Sequence, residues 1–419
     1  MIRHLKLPLR GPCLRPFSTS PRLSELLDVS NLPPRIHPRY QETNHHDLLS
    51  LTWPSPPRNI LLTKKENTPS ITTHLLSFAH HIHTTYPGTN LILEPSVAST
   101  LHTSLPFPIH TYPPTAPPPL LASKVDLTTT LGGDGTILHA TSLFSDSPSV
   151  PPVLSFSMGT LGFLGEWKFA EYKRAFREVY MSGADAHFGP DASPETQRWA
   201  AVRGKSMGPT RGARVLLRSR LEVRIGPDPT AQTSVSTEPP IQSQTLYATN
   251  EVLLHRGPTP HLAQIDISLN HRHLTTAVAD GMIISTPTGS TAYSLSAGGP
   301  IVHPLVPALI LTPIAARSLS FRPLVLPART PVTLRLSGAA RGGVDVSVDG
   351  VKVAGGLRGG VQVCAVGEGL KRGGEWVGGV PSVVRAPGRG EGEEHWVGGL
   401  NGLLKFNYPF GEGGGEDGS

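Results

Sequence analysis

Apolar and polar positions follow two rhythms along this chain, and the rhythm changes near residue 213. Before it, "NILLT" (59–63), "LILEP" (91–95), "VDLTTTL" (125–131) and "PVLSFS" (152–157) read as strands. Between them, residues 69–86 carry helical spacing and stop at Pro87-Gly88, 105–119 is a Pro-rich loop, and "ILHATSLF" (137–144) reads as a helix. Strands alternating with helices predict a parallel α/β layer.

After residue 213 the runs are short, alternating and closely spaced: "RVLLRSRLEVRI" (214–225), "TLYATNEVLLH" (245–255), "AQIDISLN" (263–270), "TTAVADGMIIST" (275–286), "VTLRLSG" (332–338) and "VDVSVDG" (344–350). This pattern predicts an all-β, sandwich-like domain. The segments predicted are an irregular lead-in over 25–56, an α/β domain over 57–165, a β-rich domain over 166–385 with inserted loops near 189–212 and 226–243, and a Gly-rich tail over 386–419. No run of eighteen apolar residues occurs, so no spanning helix and no membrane partner are expected.

The net charge of +6 would suggest a nucleic-acid partner, but its location argues otherwise. Arg3, Lys6, Arg10, Arg15 and Arg22 lie in residues 1–24, which hold no acid; without them 32 basic residues face 31 acidic ones. A basic, Ser-containing, acid-free start has the composition of a mitochondrial presequence, although Pro8, Pro12 and Pro16 interrupt any helix there. Nucleic acid is not an expected partner. Cys13 and Cys364 are too few for a disulfide framework and fit no metal-site spacing.

The chemistry gathers in glycine clusters. Gly132-Gly133-Asp134-Gly135-Thr136 follows a strand and precedes a helix, where free amides and the helix start stabilise an anion. Asp134 puts a carboxylate in that cradle. The same spacing also fits a tight turn with Asp134 or Thr136 as helix N-cap. It is neither GxGxxG nor a Walker A loop; the chain's Gly-Lys-Ser, at 204–206, has Trp199 where that loop needs its first glycine. A second Gly-rich turn, "SMGTLGFLGEW" (157–167), follows the next strand, and two such turns at neighbouring strand ends would form one ligand edge. Asn250-Glu251 combines an amide with a carboxylate, a set that suits ribose hydroxyls and a base edge but also an ordinary strand end. Ser285, Thr286, Thr288, Ser290, Thr291, Ser294 and Ser296, with Tyr293 among them, offer directional hydrogen bonds to a large polar ligand. A Ser nucleophile is disfavoured, because no GxSxG elbow is present. His80, His81 and His83 read as a helix surface; His139 lies one turn beyond Gly135.

Together and in this order, "LGGDGT", "GTLGFL", "RSRLEV", "NE", "DGMIISTPTGSTAYSLSAGGPIVHP", "SFRPLVLP" and "VDG" resemble the NAD kinase family, and with the presequence-like start its fungal mitochondrial NADH kinases. The resemblance covers roughly residues 57–355; Ser157 departs from it, standing where many members carry Asn or His. It implies a Rossmann-like α/β domain joined to a β-sandwich-like domain. It implies transfer of the γ-phosphate of ATP, which arrives with Mg²⁺, to the adenosine-ribose 2′-hydroxyl of NADH or NAD⁺, in the mitochondrial matrix. Asp134 would be the catalytic base. Gly132, Gly133, Gly135 and Thr136 would hold ATP phosphates. Asp134, Gly135, His139, Phe163, Asn250, Glu251, Asp280, Thr288, Thr291, Ala292, Tyr293 and Ser296 would bind NAD(H). No resident metal is implied, and a homo-oligomer, dimer or tetramer, is. A non-catalytic dinucleotide-binding protein on the same fold is the alternative.

Overall fold

The computed structural model describes residues 25–385, apart from 45–46, 67, 114–118, 160–161, 166, 184–211, 228–242, 259, 339 and 358–360, and adds Trp396 and Leu400. Residues 1–24, read as a presequence, almost all of both expected inserted loops and nearly all of the Gly-rich tail lie outside the described residues.

The first layer is an eleven-stranded sheet. Its parallel centre runs Ile109–Thr111, Asn90–Leu93, Asn59–Lys64, Leu127–Leu131, Val153–Ser157. Alternate residues of these strands feed two cores. Ile60, Leu62, Leu154 and Phe156 pack under the helices Pro69–Thr85 and Tyr172–Tyr180. Leu61, Ile92 and Val153 pack on the other face with Ile137 and Phe144. Burial on both faces explains why these strands read as short apolar runs.

The lead-in is more ordered than its prolines suggested. Leu26–Asp28, Arg39–Gln41 and Leu49–Thr52 are strands of this sheet. The Asp126 carboxylate fastens the lead-in by accepting the amides of Ile36 at 2.6 Å, Arg58 at 2.6 Å and Asn59 at 2.9 Å. The sheet also takes Arg214–Arg218 and Val380–Val384 from the β-rich half. The chain leaves this sheet only after Trp167–Lys168, which pairs with Val153–Ser157, and rejoins it at 214 and again at 380, so the layers do not divide at one point in the sequence.

The second half is a sandwich of two six-stranded antiparallel sheets enclosing one apolar core. Three runs that look continuous in sequence each turn a corner. Arg214–Arg218 belongs to the first layer and Leu221–Pro227 to the sandwich. Gln244–Ala248 lies in one sandwich sheet and Glu251–His255 in the other. Arg272–Ala279 and Gly281–Ser285 divide the same way. Each corner is a break of only one or two residues, 219–220, 249–250 and 280, too short for local pattern to show that the next strand changes sheet. The stretch beyond 354 also contributes Val361–Gly367, a central strand.

Candidate active site

The corners are where polar residues collect: Arg220 at the first, Thr249-Asn250 at the second and Asp280 at the third. The two glycine turns stand beside each other, since Leu127–Leu131 and Val153–Ser157 are neighbouring parallel strands.

Asp134 opens the helix Asp134–Ser142, but Gly133 is the N-cap and the carboxylate caps nothing. It turns instead to the second glycine turn. Oδ2 accepts the Phe163 amide at 2.9 Å and Oδ1 the Leu164 amide at 3.1 Å. Gly162 sits so close that a Cβ there would lie 2.1 Å from Oδ1. Gly132 is equally tight, its Cβ position 2.1 Å from Thr136 Oγ1. The Gly132 amide donates to the Phe156 carbonyl at 3.0 Å, so its contribution to an anion cradle is close approach and not a free N–H. Thr136 donates its amide to Gly133 O at 2.9 Å and is buried. The helix-start amides of Asp134 and Gly135 lack intrahelical acceptors by geometry.

His139 lies on the exposed side of this helix, its Nε2 2.7 Å from Glu94 Oε2 at the end of the strand Asn90–Leu93. The hydrogen bond to Glu94 raises the His139 pKa above the ordinary imidazole value. Nothing in the sequence links these residues, and Glu94 escaped notice for that reason.

The second corner is held by an unpredicted residue. Asp349 sits at positive φ (46°) beside Gly350 (80°), in the Asp-Gly turn that joins two sandwich strands. Its buried carboxylate accepts three successive amides, Thr249 at 2.7 Å, Asn250 at 2.7 Å and Glu251 at 3.1 Å. Burial, opposed by those amides, raises its pKa. The hydroxyls of the long loop divide into two groups. Ser285 and Thr286 donate to the Asn250 and Thr249 carbonyls, Ser290 to Pro287 and Val302, and Ser294 pairs with Thr312. Thr291 donates to Thr288 O at 3.3 Å. These bonds build the loop. Gly289 permits it to touch Asn250, where a Cβ would be 2.3 Å from the carbonyl oxygen. Ala292 closes the turn on Gly289, and Tyr293 and Ser296 stay exposed.

Three buried polar atoms here have no hydrogen-bond partner: Asn250 Oδ1, Glu251 Oε2 and Thr288 Oγ1. Orphaned buried groups are costly, and three at one corner fit a polar ligand. Burial, helped by Asp349, pushes the Glu251 carboxyl up to about 8.

This corner and the Asp134 helix are tied together. Thr249 Oγ1 reaches Thr141 Oγ1 at 3.4 Å, seven residues along the helix from Asp134. Seven residues span about 10 Å. Tyr247 donates its amide to Ser145 O at 2.6 Å. Arg220, 2% exposed, binds Glu368 through two 2.9 Å bonds, reaches Phe144 O and Ser147 O, and stacks on Tyr247. Asp280 is elsewhere. Gly281 pairs with His255 and Ser285 with Glu251, so Asp280 and Glu251 stand at opposite ends of one strand pair, about 15 Å apart. It is paired with Arg256 at 2.6 Å.

A parallel sheet with an anion-suited strand edge, joined to a sandwich corner with unmet hydrogen-bonding groups, defines a nucleotide-binding protein of two layers. The family description "ATP-NAD kinase N-terminal domain" matches residues 90–184 and "ATP-NAD kinase C-terminal domain" matches 249–368. The mitochondrial NADH kinase of Saccharomyces cerevisiae is 37% identical over 77% of this chain and 71% of its own length. That of Schizosaccharomyces pombe is 35% identical over 91% of this chain and 85% of its own. The crystal structure of yeast NADH kinase complexed with NADH superposes with a TM-score of 0.71 at 35% identity, covering 92% of this chain and 98% of that one. The chain belongs to the NAD kinase family.

Proposed function

We propose that this protein transfers the γ-phosphate of ATP to the adenosine-ribose 2′-hydroxyl of NADH or NAD⁺, in the mitochondrial matrix. The observation that carries the reading is the triad of orphaned atoms, Asn250 Oδ1, Glu251 Oε2 and Thr288 Oγ1, at a corner tied through Thr249 and Thr141 to the helix that opens on a carboxylate held by two amides. Asn250 and Glu251 would take the adenine and ribose, and Thr288 the adjoining polar edge. Asp134 would accept the 2′-hydroxyl proton while the oxygen forms its bond to the γ-phosphorus and the bond to the ADP leaving oxygen breaks; the proton then passes to solvent. Mg²⁺, arriving with ATP, offsets phosphate charge. Thr291, Ala292, Tyr293 and Ser296 would line the rest of the dinucleotide pocket, with Phe163 against a base.

Asp280, about 15 Å from Glu251 along its own strand pair, would take the nicotinamide end of the dinucleotide, with a neighbouring copy completing the pocket. A homo-oligomer is part of the proposal. The test is NADPH and NADP⁺ formation by the purified chain with ATP and Mg²⁺, beside Asp134→Asn. Loss of several orders of magnitude in the variant is expected. A folded wild type that binds NADH yet forms no product would leave the non-catalytic dinucleotide-binding reading.

A further inference from the structure

The carboxylate of Asp134 is seated by backbone alone, so what seats the backbone matters. Phe163 C=O and Leu164 N–H belong to a single peptide unit, which is planar and rigid. Its N–H donates to Asp134 Oδ1 at 3.1 Å, and its oxygen accepts from Arg218 Nη2 at 3.2 Å. Arg218 is 3% exposed and closes the strand Arg214–Arg218, the last residue of the first layer before the chain turns into the sandwich. Its Nε donates to Ser382 Oγ at 3.2 Å, on the neighbouring strand Val380–Val384. The guanidinium is thus anchored on the two strands that return from the β-rich half, and it pulls on the far end of the peptide plane that holds Asp134.

Resting on the reading of Asp134 as the base, we infer that Arg218 is a positioning residue for the phosphoryl transfer, acting on Asp134 through the Phe163–Leu164 peptide. A cation at the carbonyl end polarises the unit and strengthens its N–H bond to the carboxylate. A buried fork also fixes where the turn stands, which a flexible lysine would do less well. The charge sits behind the carboxylate with the peptide between them, so it orients the base and does not itself contact substrate.

The experiment is a double-mutant cycle in the full-length enzyme with Arg218→Ala, Asp134→Asn and both, following labelled phosphate transfer at saturating NADH and Mg·ATP. Arg218→Ala is expected to lower kcat about tenfold or more with the NADH Kd within threefold, and to change the residual rate of Asp134→Asn by less than twofold. A kcat within twofold of wild type, an equal loss in both backgrounds, or a loss confined to Kd would overturn the inference while leaving the base reading standing. An Asp134→Asn enzyme with wild-type kcat would overturn both. Should Arg218→Ala lose its cooperative melting transition, Ser382→Ala carries the test: it keeps the cation, loosens one anchor and is expected to lower kcat about threefold only where Asp134 is present. No such dependence on Asp134 would overturn the inference equally.

Discussion

Gly162→Ala separates the stability of this fold from its chemistry. The new methyl carbon would stand 2.1 Å from Asp134 Oδ1, where ordinary contact begins at 3.4 Å, so the oxygen must retreat by more than an ångström. What yields is the tip of a side chain, and no positive φ marks Gly162 as strained, so folding should survive. Losing two part-buried amide bonds to a carboxylate costs about 3 kcal/mol of stability. A misplacement of this size at a reacting group lowers the rate about 100-fold, equivalent to about 2.7 kcal/mol of barrier. The assay is steady-state NADPH formation at saturating Mg·ATP, with the NADH Kd by fluorescence and a thermal melt on the same sample. A kcat within threefold of wild type would refute the argument that the seat of Asp134 sets the rate. So would an equal drop in kcat explained by a loss of folded protein.

Three other outcomes follow from the geometry. Asp349→Ala leaves the amides of residues 249–251 without their buried acceptor; it should cost about 3 kcal/mol or more in urea unfolding and weaken NADH binding at least tenfold. Glu251 has its carboxyl raised from 4.5 to about 8 by burial and by Asp349, so the folded state keeps a proton that the unfolded chain releases. Its contribution to stability is therefore greatest below about 4.5 and declines as pH rises towards about 8; melting temperatures of Glu251→Gln across that range should lose this decline, at the cost of NADH affinity. His139, raised by its hydrogen bond to Glu94, should titrate by NMR above an ordinary imidazole and fall back in Glu94→Gln. Stability from that pair is present below the unfolded histidine value and is lost as pH rises through the folded one.

The parallel centre was legible because strands buried on both faces give short apolar runs separated by helical spacing. The three corners were not, since a break of one or two residues does not show whether the next strand stays in one sheet or passes to another. The lead-in misled through composition: its prolines suppress strand patterns, yet three short strands form there by pairing into the sheet. Among the candidate site residues, Asp134, Asn250, Glu251 and Thr288 stood out by residue type and neighbours, though Asp134 could equally be a helix cap and Asn250-Glu251 a strand end. Glu94, Arg218 and Asp349 act through partners 45, 55 and about 100 residues away, and local pattern carries no trace of such pairs. The one available signal was "VDG", an Asp-Gly turn between alternating runs, which predicts the hairpin but not that its carboxylate would hold another strand's amides.

The distance from Asp134 to Asn250 is set by rigid parts. One end is the start of a helix fixed on the sheet, the other a strand corner pinned by a buried carboxylate, and Thr141 joins them. Arg220 reinforces the join with a buried pair to Glu368, bonds to two carbonyls of the first layer and a stacked Tyr247. Breaking such a pair on one side costs about 3–5 kcal/mol, so the two layers do not separate cheaply. A nucleoside is itself a stiff object whose base and 2′-hydroxyl keep a narrow range of separations. In the roles proposed for them, a fixed ruler between the Asn250 corner and the Asp134 carboxylate would select the adenosine half of the dinucleotide before any chemistry begins, because the ordering cost is met in folding and not at each turnover. On that proposal, the unmet atoms of Asn250, Glu251 and Thr288 are the stability the fold gives up for that readiness.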